Sequence, residues 1–248
     1  MQINIEEFKD VLKKATINFS LDSVQLVVTA DKIKSKMTTN SNDAVVVLDI
    51  ENKVMPGNAG ELQFNFQDPN QSLLPYLGLI EEGQETDINI KPEKIVLTTG
   101  NLKSNIFFCS PQVVSVFGRE GVRPGTTYFT EFALNDDFIR QFNMVKKIGM
   151  RFGKIYFGVS SNIMVMETTD KTNRFSNGLK FELYRQKFEN MSLCFDYKNL
   201  TNVMSSIGDD YSDFILHVTY MKEADLGMIY LCKNDESEKY FLMSKQDL

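Results

Sequence analysis

The chain contains the same pattern of secondary-structure elements twice. From Leu62 it reads LQFNFQDPNQSLLPYLGLI, an alternating strand, a turn and a short helix with one apolar face. From Leu193, about 130 residues later, LCFDYKNLTNVMSSIG has the same order. This spacing is too long for a solenoid repeat and fits one small domain that was duplicated and fused. The sequence therefore predicts two similar domains.

Strand-like runs dominate both halves. They are rich in β-branched and aromatic residues and are bounded by Gly, Asn, Asp or Pro. The predicted strands are Ser23–Ala30, Ala44–Ile50, Glu61–Phe66, Thr86–Ile90, Lys94–Thr99 and Asn105–Ser110, then Lys154–Ser160, Asn162–Thr168, Gly178–Tyr184, Met191–Tyr197, Phe214–Tyr220, Gly227–Lys233 and Lys239–Met243. Strands and helices do not alternate along the chain, which argues against a doubly wound parallel sheet.

Four segments have helical periodicity. The longer helices, Ile5–Thr16 and Asn135–Ile148, have apolar residues on one face and charged residues on the other. The shorter ones are Asn70–Leu79 and Asn199–Ile207. Each half is therefore a long helix, strands, a short helix and strands. The predicted fold class is α+β, with two helices in each strand-rich domain.

The two domains are predicted at 1–112 and 128–248, with a connector at 113–127. Gly118, Pro124 and Gly125 break regular structure in the connector. Its apolar residues Val113, Val114, Val116 and Phe117 indicate that it packs against something. Two interpretations stay open: a strand that crosses between sheets, and a loop that faces a ligand.

Composition limits the class of protein. The net charge of −6 disfavours a protein whose whole surface grips nucleic acid, but it allows basic residues gathered on one face. The three cysteines are isolated, which indicates a reducing, intracellular setting without disulfides or zinc. No stretch approaches the ~20 apolar residues that span a bilayer, and the N-terminus is not a secretory signal.

Residues for catalysis are sparse in the sequence. The one histidine, His217, lies in a strand-like run, where a structural role is the simpler interpretation. The acidic run Asp209, Asp210 and Asp213 lacks the Gly and the distal Glu of a calcium loop. No phosphate-binding glycine motif opens a helix. We expect no enzymatic activity, no cofactor and no metal.

Two stretches carry a family resemblance. The C-terminal stretch GMIYLCKNDESEKYFLMSKQDL, Gly227 to Leu248, resembles the closing hairpin and tail of the DNA polymerase sliding clamps of the proliferating-cell-nuclear-antigen type. The N-terminal helix followed by SVQLVVTADKIKSKMTTNSNDA is similar to the opening of the same family, and ATINFSLDS is closest to the clamps of tailed phages. Met243-Ser244 departs from the Ala-Pro that is frequent in the family, and the connector is shorter than the eukaryotic one.

The resemblance implies a processivity factor that encircles duplex DNA and tethers DNA polymerase. It implies that the two helices of each domain pack on antiparallel sheets and that six domains close the ring. A two-domain chain then implies a homotrimer, with edge strands from the two chain ends pairing between subunits. The partners would be duplex DNA, a DNA polymerase and a clamp-loader ATPase, inside the cell, in the host cytoplasm if the chain is phage-encoded. The helices would line the hole, with these residues facing phosphates: Lys9, Lys13, Lys14, Arg140, Lys146, Lys147 and Lys198.

The resemblance also implies an apolar pocket that binds short peptides of partner proteins. Matched by position, its residues are Ala30, Ile33, Val114, Val116, Phe117, Leu226, Gly227, Met228, Met243 and Ser244. Two other functions stay open. One is a duplicated β-rich structural or virion-associated protein that does not bind DNA. The other is an enzyme built around His217 and the acidic run at 209–213.

Overall fold

The chain forms two compact units. The computed structural model describes residues 2–57, 60–118, 127–173, 176–185, 191–221 and 226–245, without the side chains of 127–129. Unit 1 is Met1–Arg119 with Glu236–Glu238, and unit 2 is Glu120–Asp235 with Lys239–Leu248. Most of the predicted connector, 119–126, lies outside the described residues. The predicted domain limits at 112 and 128 stay predictions.

Unit 1 combines two antiparallel sets of strands with three helices. β5, β2, β3 and β4 are neighbours in that order, and β1, β6, β7 and β8 form a second sheet. The elements are β1 (Gln2–Ile3), α1 (Ile5–Ala15), β2 (Ser23–Val28), β3 (Lys32–Thr38), β4 (Ala44–Glu51), β5 (Leu62–Gln67), α2 (Pro69–Ser72), α3 (Leu74–Leu77), β6 (Thr86–Lys91), β7 (Lys94–Thr99) and β8 (Leu102–Phe107). Helix α1 packs on β2, β3 and β4.

Unit 2 repeats this order. β12, β11, β10 and β13 form one sheet, and β16, β15, β14 and β9 are neighbours in the other set. The elements are β9 (Thr127–Ala133), α4 (Asp136–Gly149), β10 (Lys154–Ser160), β11 (Ile163–Thr168), β12 (Leu179–Arg185), β13 (Met191–Asp196), α5 (Tyr197–Ile207), β14 (Phe214–Met221), β15 (Leu226–Lys233) and β16 (Glu238–Met243, whose first residue belongs to unit 1). The predicted α+β fold class with duplicated units is confirmed.

Local chemistry sets the limits of the long helices. The Asn4 side chain accepts a hydrogen bond from the Glu7 amide at 3.2 Å, and the Asn135 side chain accepts one from the Phe138 amide at 2.9 Å. These N-caps satisfy amides that a helix leaves unpaired. In both helices the first turn is acidic and the last turn is basic, which complements the helix dipole. Both helices therefore begin and end close to the predicted residues.

The predicted helix Asn70–Leu79 is wrong as a continuous element. It is broken into α2 and α3 at Leu73, which has φ −126° and ψ −54°. Pro75 explains the break because proline lacks an amide hydrogen and restricts the residue before it. The two short pieces still lie where the sequence predicts the second helix of the repeat.

Several strands were missed or shifted. β1 and β9 were not predicted. β3 was predicted only from the family resemblance of the N-terminal stretch and not from its residue pattern. The predicted strand Asn105–Ser110 is wrong in its limits, because β8 begins at Leu102 and ends at Phe107. β10 and β11 are joined by a two-residue hairpin turn, in which Ser161 and Asn162 both have positive φ.

Candidate nucleic-acid and partner-binding surfaces

Helix α1 carries three lysines in two different environments. Lys9 and Lys13 are half-buried and lie one turn apart on one face of the helix. The Lys9 Nζ atom is 2.8 Å from the Glu6 carboxylate, an ion pair within one turn at the surface. Surface pairs of this kind contribute little to stability and exchange readily. The Lys9 ammonium group can therefore leave Glu6 and pair with another anion.

Lys14 lies in the interior of unit 1. It is 9% exposed, and its Nζ atom is 3.0 Å from Glu238 Oε1 and 3.1 Å from Asp10 Oδ2. Burial alone would lower the pKa of Lys14, but the two carboxylates outweigh it and hold this pKa above its ordinary value. Its ammonium group is already paired in the interior. The assignment of Lys14 to a DNA-facing surface therefore does not fit the structure.

Helix α4 presents one exposed basic stripe. Arg140, Asn143 and Lys147 are exposed on one face, whereas Lys146 is half-buried on its flank. The Arg140 guanidinium is 2.9 Å from Asp137 Oδ1, and both side chains are largely exposed. The sequence analysis missed Arg151, which is exposed one turn beyond Lys147. The i, i+4 spacing from Lys147 to Arg151 was the signal for it.

Helix α5 adds Lys198 to the same unit. Lys198 is exposed in its first turn, and α5 packs against α4. Gly149 permits close packing, since a Cβ atom there would lie 3.0 Å from Cδ2 of Tyr197. The exposed cations of α4 and α5 can contact phosphates, and such contacts carry no base sequence information.

The described part of the connector forms an isolated β-bridge with β3 in unit 1. The Phe117 amide donates to the Lys36 carbonyl at 2.9 Å, and the Thr38 amide donates to the Ser115 carbonyl at 3.1 Å. Val116 pairs with Met37 in this bridge and stays 44% exposed. The connector backbone therefore pairs with β3, while the Val113 and Val116 side chains stay accessible. The two interpretations of the connector both stay predictions.

The other predicted pocket residues of unit 1 differ in exposure. Ala30 is exposed in the turn between β2 and β3, and Val114 is buried. Ile33 is 1% exposed and belongs to the core. Its assignment to the floor of a peptide pocket therefore does not fit the structure.

The predicted pocket residues of unit 2 lie where the tail pairs with β15. The Gly227 amide donates to Ser244 Oγ at 2.8 Å, and the Ser244 amide donates to the Gly227 carbonyl at 2.8 Å. A Cβ atom on Gly227 would lie 2.5 Å from Cδ1 of Leu193, so a larger residue here would displace that side chain. Met228 is also buried, whereas Leu226, Met243 and Ser244 remain half-exposed.

Lys245 fixes the tail to the N-terminus of α5. Its amide donates to the Cys194 carbonyl at 2.7 Å, and its Nζ atom is 2.7 Å from Asp196 Oδ2. The other oxygen of Asp196 caps α5 by accepting a hydrogen bond from the Asn199 amide at 3.0 Å. Burial opposes the ionisation of Asp196, but the hydrogen bonds from Lys245 and the helix amide outweigh it and hold the pKa of Asp196 below its ordinary value.

We expect this carboxylate to make stability pH-dependent. A group whose pKa is lower in the folded state stabilises the fold above its unfolded pKa, and the contribution is lost as the pH falls through the folded value. For Asp196 the loss should occur below pH 3.8, its ordinary pKa. Asp196→Asn should reduce the free energy of unfolding by about 1 kcal/mol at pH 7 and by less at pH 3. Urea denaturation at both pH values measures this, and an equal loss at both would contradict it.

His217 belongs to a row of stacked rings across unit 2. Its ring centroid is 5.2 Å from that of Tyr230, which is 4.7 Å from that of Phe241. Burial lowers the pKa of His217 below its ordinary value, partly offset by Glu131 at 3.5 Å. This packing favours a structural role. The acidic residues Asp209, Asp210 and Asp213 lie exposed in a 3-10 turn, and no cluster of His, Cys, Asp and Glu among the described residues could hold a metal.

Solved structures match the chain over its full length. A. fulgidus PCNA, in a structure with the C-terminal region of FEN-1, matches with a TM-score of 0.65 at 12% identity, covering 100% of this chain and 98% of that one. Entamoeba histolytica proliferating cellular nuclear antigen matches with a TM-score of 0.63 at 11% identity, covering 98% and 97%. The chain has the sliding-clamp fold.

The bacterial clamps with this fold are longer. The DNA polymerase sliding clamp of Bacillus subtilis matches all of this chain with a TM-score of 0.70 at 9% identity, but the match covers 64% of the Bacillus chain. No protein-family model and no curated protein sequence matches the chain. The sliding-clamp fold is therefore established by backbone structure at very low sequence identity. Within the described residues no helix has the length and apolarity to cross a membrane.

Proposed function

We propose that the chain is a DNA sliding clamp, a ring that encircles duplex DNA and tethers a DNA polymerase without catalysis of its own. The observation that carries this proposal is the full-length match to PCNA chains of nearly equal length. The exposed basic residues on helices of an acidic protein support it further. The proposed site of action is the interior of the cell, where replication takes place.

The proposed ring is a homotrimer closed by head-to-tail contacts. Two similar units in one chain fit a six-unit ring of three chains. β1 has only two residues and β13 pairs with the tail at Cys194, so we assign the interface to the other edges of the two four-stranded sheets, β8 and β12. β8 ends in Phe107, which is 60% exposed, and β12 carries the half-buried Phe181 and Leu183. Pairing of the two edges would cover both and remove an aggregation hazard.

The proposed DNA contacts are electrostatic and independent of base sequence, so they allow the ring to slide. Lys14 is left out because it is buried in an ion pair, and Arg151 is added because it continues the stripe of α4. The proposed phosphate-facing residues are Lys9, Lys13, Arg140, Lys146, Lys147, Arg151 and Lys198.

The proposed docking surfaces bind short peptides of a polymerase and of a clamp-loader ATPase. The FEN-1 segment in the A. fulgidus structure supports this mode of binding. The accessible candidates in the two units are Ala30, Val116, Phe117, Leu226, Met243 and Ser244. A few apolar anchors would supply most of the affinity.

A ligation trap tests encirclement without a loader. Linear duplex is ligated into circles in the presence of the protein, so any threaded ring becomes topologically linked. We expect the protein to stay on the circles through a high-salt wash, which removes contacts that are only electrostatic, and to leave after one restriction cut. Circles that are closed before the protein is added serve as the control. Equal retention on cut and uncut circles would contradict encirclement.

A further inference from the structure

Strand β3 carries a row of lysines on the sheet face that points away from α1. Alternate residues of a strand point to opposite faces. Ile33, Ser35 and Met37 are buried on the side where α1 packs. Lys32, Lys34 and Lys36 alternate with these residues and therefore lie on the other face, the first two exposed and the third half-buried.

The neighbouring strand neutralises this row only in part. Asp49 on β4 faces two ammonium groups, at 3.5 Å from Lys32 Nζ and 3.8 Å from Lys34 Nζ. Glu51 on the same strand lies 3.8 Å from Lys53. Glu51 also stands opposite Lys32 in the strand pairing, so two carboxylates face three exposed lysines, Lys32, Lys34 and Lys53. One positive charge is left over among these five groups, at the surface of a protein whose net charge is −6. Like-charge crowding of this kind favours binding of an anion.

The spacing of the lysines matches one type of ligand. Every second residue of a strand recurs after about 6.7 Å. An extended peptide with Asp or Glu at every second position presents carboxylates at the same interval, so each carboxylate can face one lysine. A run of adjacent acidic residues would point half of its carboxylates away from the row.

The position of the row excludes the DNA-facing role proposed for α1. The lysines lie on the face of β3 opposite the helix, so a duplex that contacts Lys9 and Lys13 does not reach them. One end of the row meets the connector, since the Phe117 amide donates to the Lys36 carbonyl at 2.9 Å. A peptide anchored beside Phe117 would therefore run directly onto the row.

We propose that Lys32, Lys34 and Lys36 bind an extended acidic segment of a partner protein, with Asp or Glu at every second position. This binding site is additional to the proposed clamp function. It rests on that function in one respect only, because the acidic segment is placed next to the proposed docking residue Phe117. The row would add charge-dependent selectivity to an apolar anchor, and its contribution would weaken with added salt.

The probe is a short fluorescent peptide of alternating Glu and Thr, measured by anisotropy at low salt. Lys32→Glu with Lys34→Glu should weaken its binding roughly tenfold or more, since two attractions become repulsions. The matched control, Lys91→Glu with Lys171→Glu, makes the same charge change at exposed positions elsewhere and should stay within about twofold of the unchanged protein. A second peptide of the same composition with its Glu residues adjacent should bind several times more weakly.

Three results would overturn the proposal. They are no binding of the alternating peptide, equal losses in the two double variants, and equal affinity for the two peptides. Each would mean that the row has no ligand of this geometry or acts only through net charge. The assay contains no DNA, so a protein that fails the ligation trap can still pass it, and the reverse also holds.

Discussion

Replacing Arg140, Lys147 and Arg151 together by Glu should weaken binding of duplex DNA by at least roughly 100-fold at low ionic strength. The three side chains form the exposed stripe of α4 and its following turn. Each phosphate contact contributes about 0.9 to the slope of log affinity against log salt, so losing three should reduce that slope by about 2.7. Anisotropy of a labelled duplex across a salt series measures both quantities.

The matched control reverses three charges in unit 1, on a strand and not on a helix. Lys32→Glu, Lys34→Glu and Lys36→Glu change the net charge by the same amount on the face of β3 that points away from α1. This variant should keep duplex binding within about threefold of the unchanged protein. Equal losses in both variants would mean that net charge alone governs binding. Full binding by the α4 variant would show that α4 does not face DNA.

The sequence predicted the elements whose signals are local. α1 and α4 have apolar faces at helical spacing and asparagine N-caps, and both signals are complete within about 15 residues. Strands such as β7 and β10 were predicted with their observed limits because continuous apolar runs end at turn residues. The order of elements therefore indicated the clamp fold at an identity as low as 9–12%.

Elements that depend on tertiary partners were harder to predict. β1 has two residues and exists because Gln2 and Ile3 pair with β6, more than 80 residues away. β3 was not among the strands predicted from residue pattern, because its lysines interrupt the apolar residues, although Ile33 and Met37 alternate correctly for a half-buried strand. The break in the second helix was predictable from Pro75, and the sequence analysis overlooked it.

The candidate site was predicted at the level of helices but not of single side chains. Lys13 and Lys14 are adjacent, yet a helix turns about 100° between them and only Lys14 is directed to Glu238, 224 residues further along the chain. Ala30 and Ile33 were both assigned to the peptide pocket, although Ala30 is in a turn and Ile33 is in the core. Such distinctions depend on long-range packing, which no local pattern contains.

Phe107→Asp should convert the proposed trimer into monomers. Phe107 ends the edge strand β8 and is 60% exposed, so its side chain contributes little to the folding stability of the isolated subunit. In a closed ring the aspartate would be buried against the partner strand, which we expect to weaken assembly roughly 100-fold. Lys94, whose Nζ atom lies 4.9 Å from the Phe107 ring centre, can pair with the new carboxylate and help to preserve the fold. Analytical ultracentrifugation measures the change: the unchanged protein should have three times the 28.4 kDa mass of one chain, and the variant the mass of one chain.

The matched control for this substitution is Met150→Asp. Met150 is the most exposed large apolar residue among those described, at 72%, and it follows α4 in the chain and belongs to neither β8 nor β12. Because both changes place an acid at an exposed apolar position, a general effect of charge or solubility should act on both alike. We expect only Phe107→Asp to lower the mass. A monomeric unchanged protein at micromolar concentration would contradict the trimer, and a trimeric Phe107→Asp variant would place the interface at a different edge.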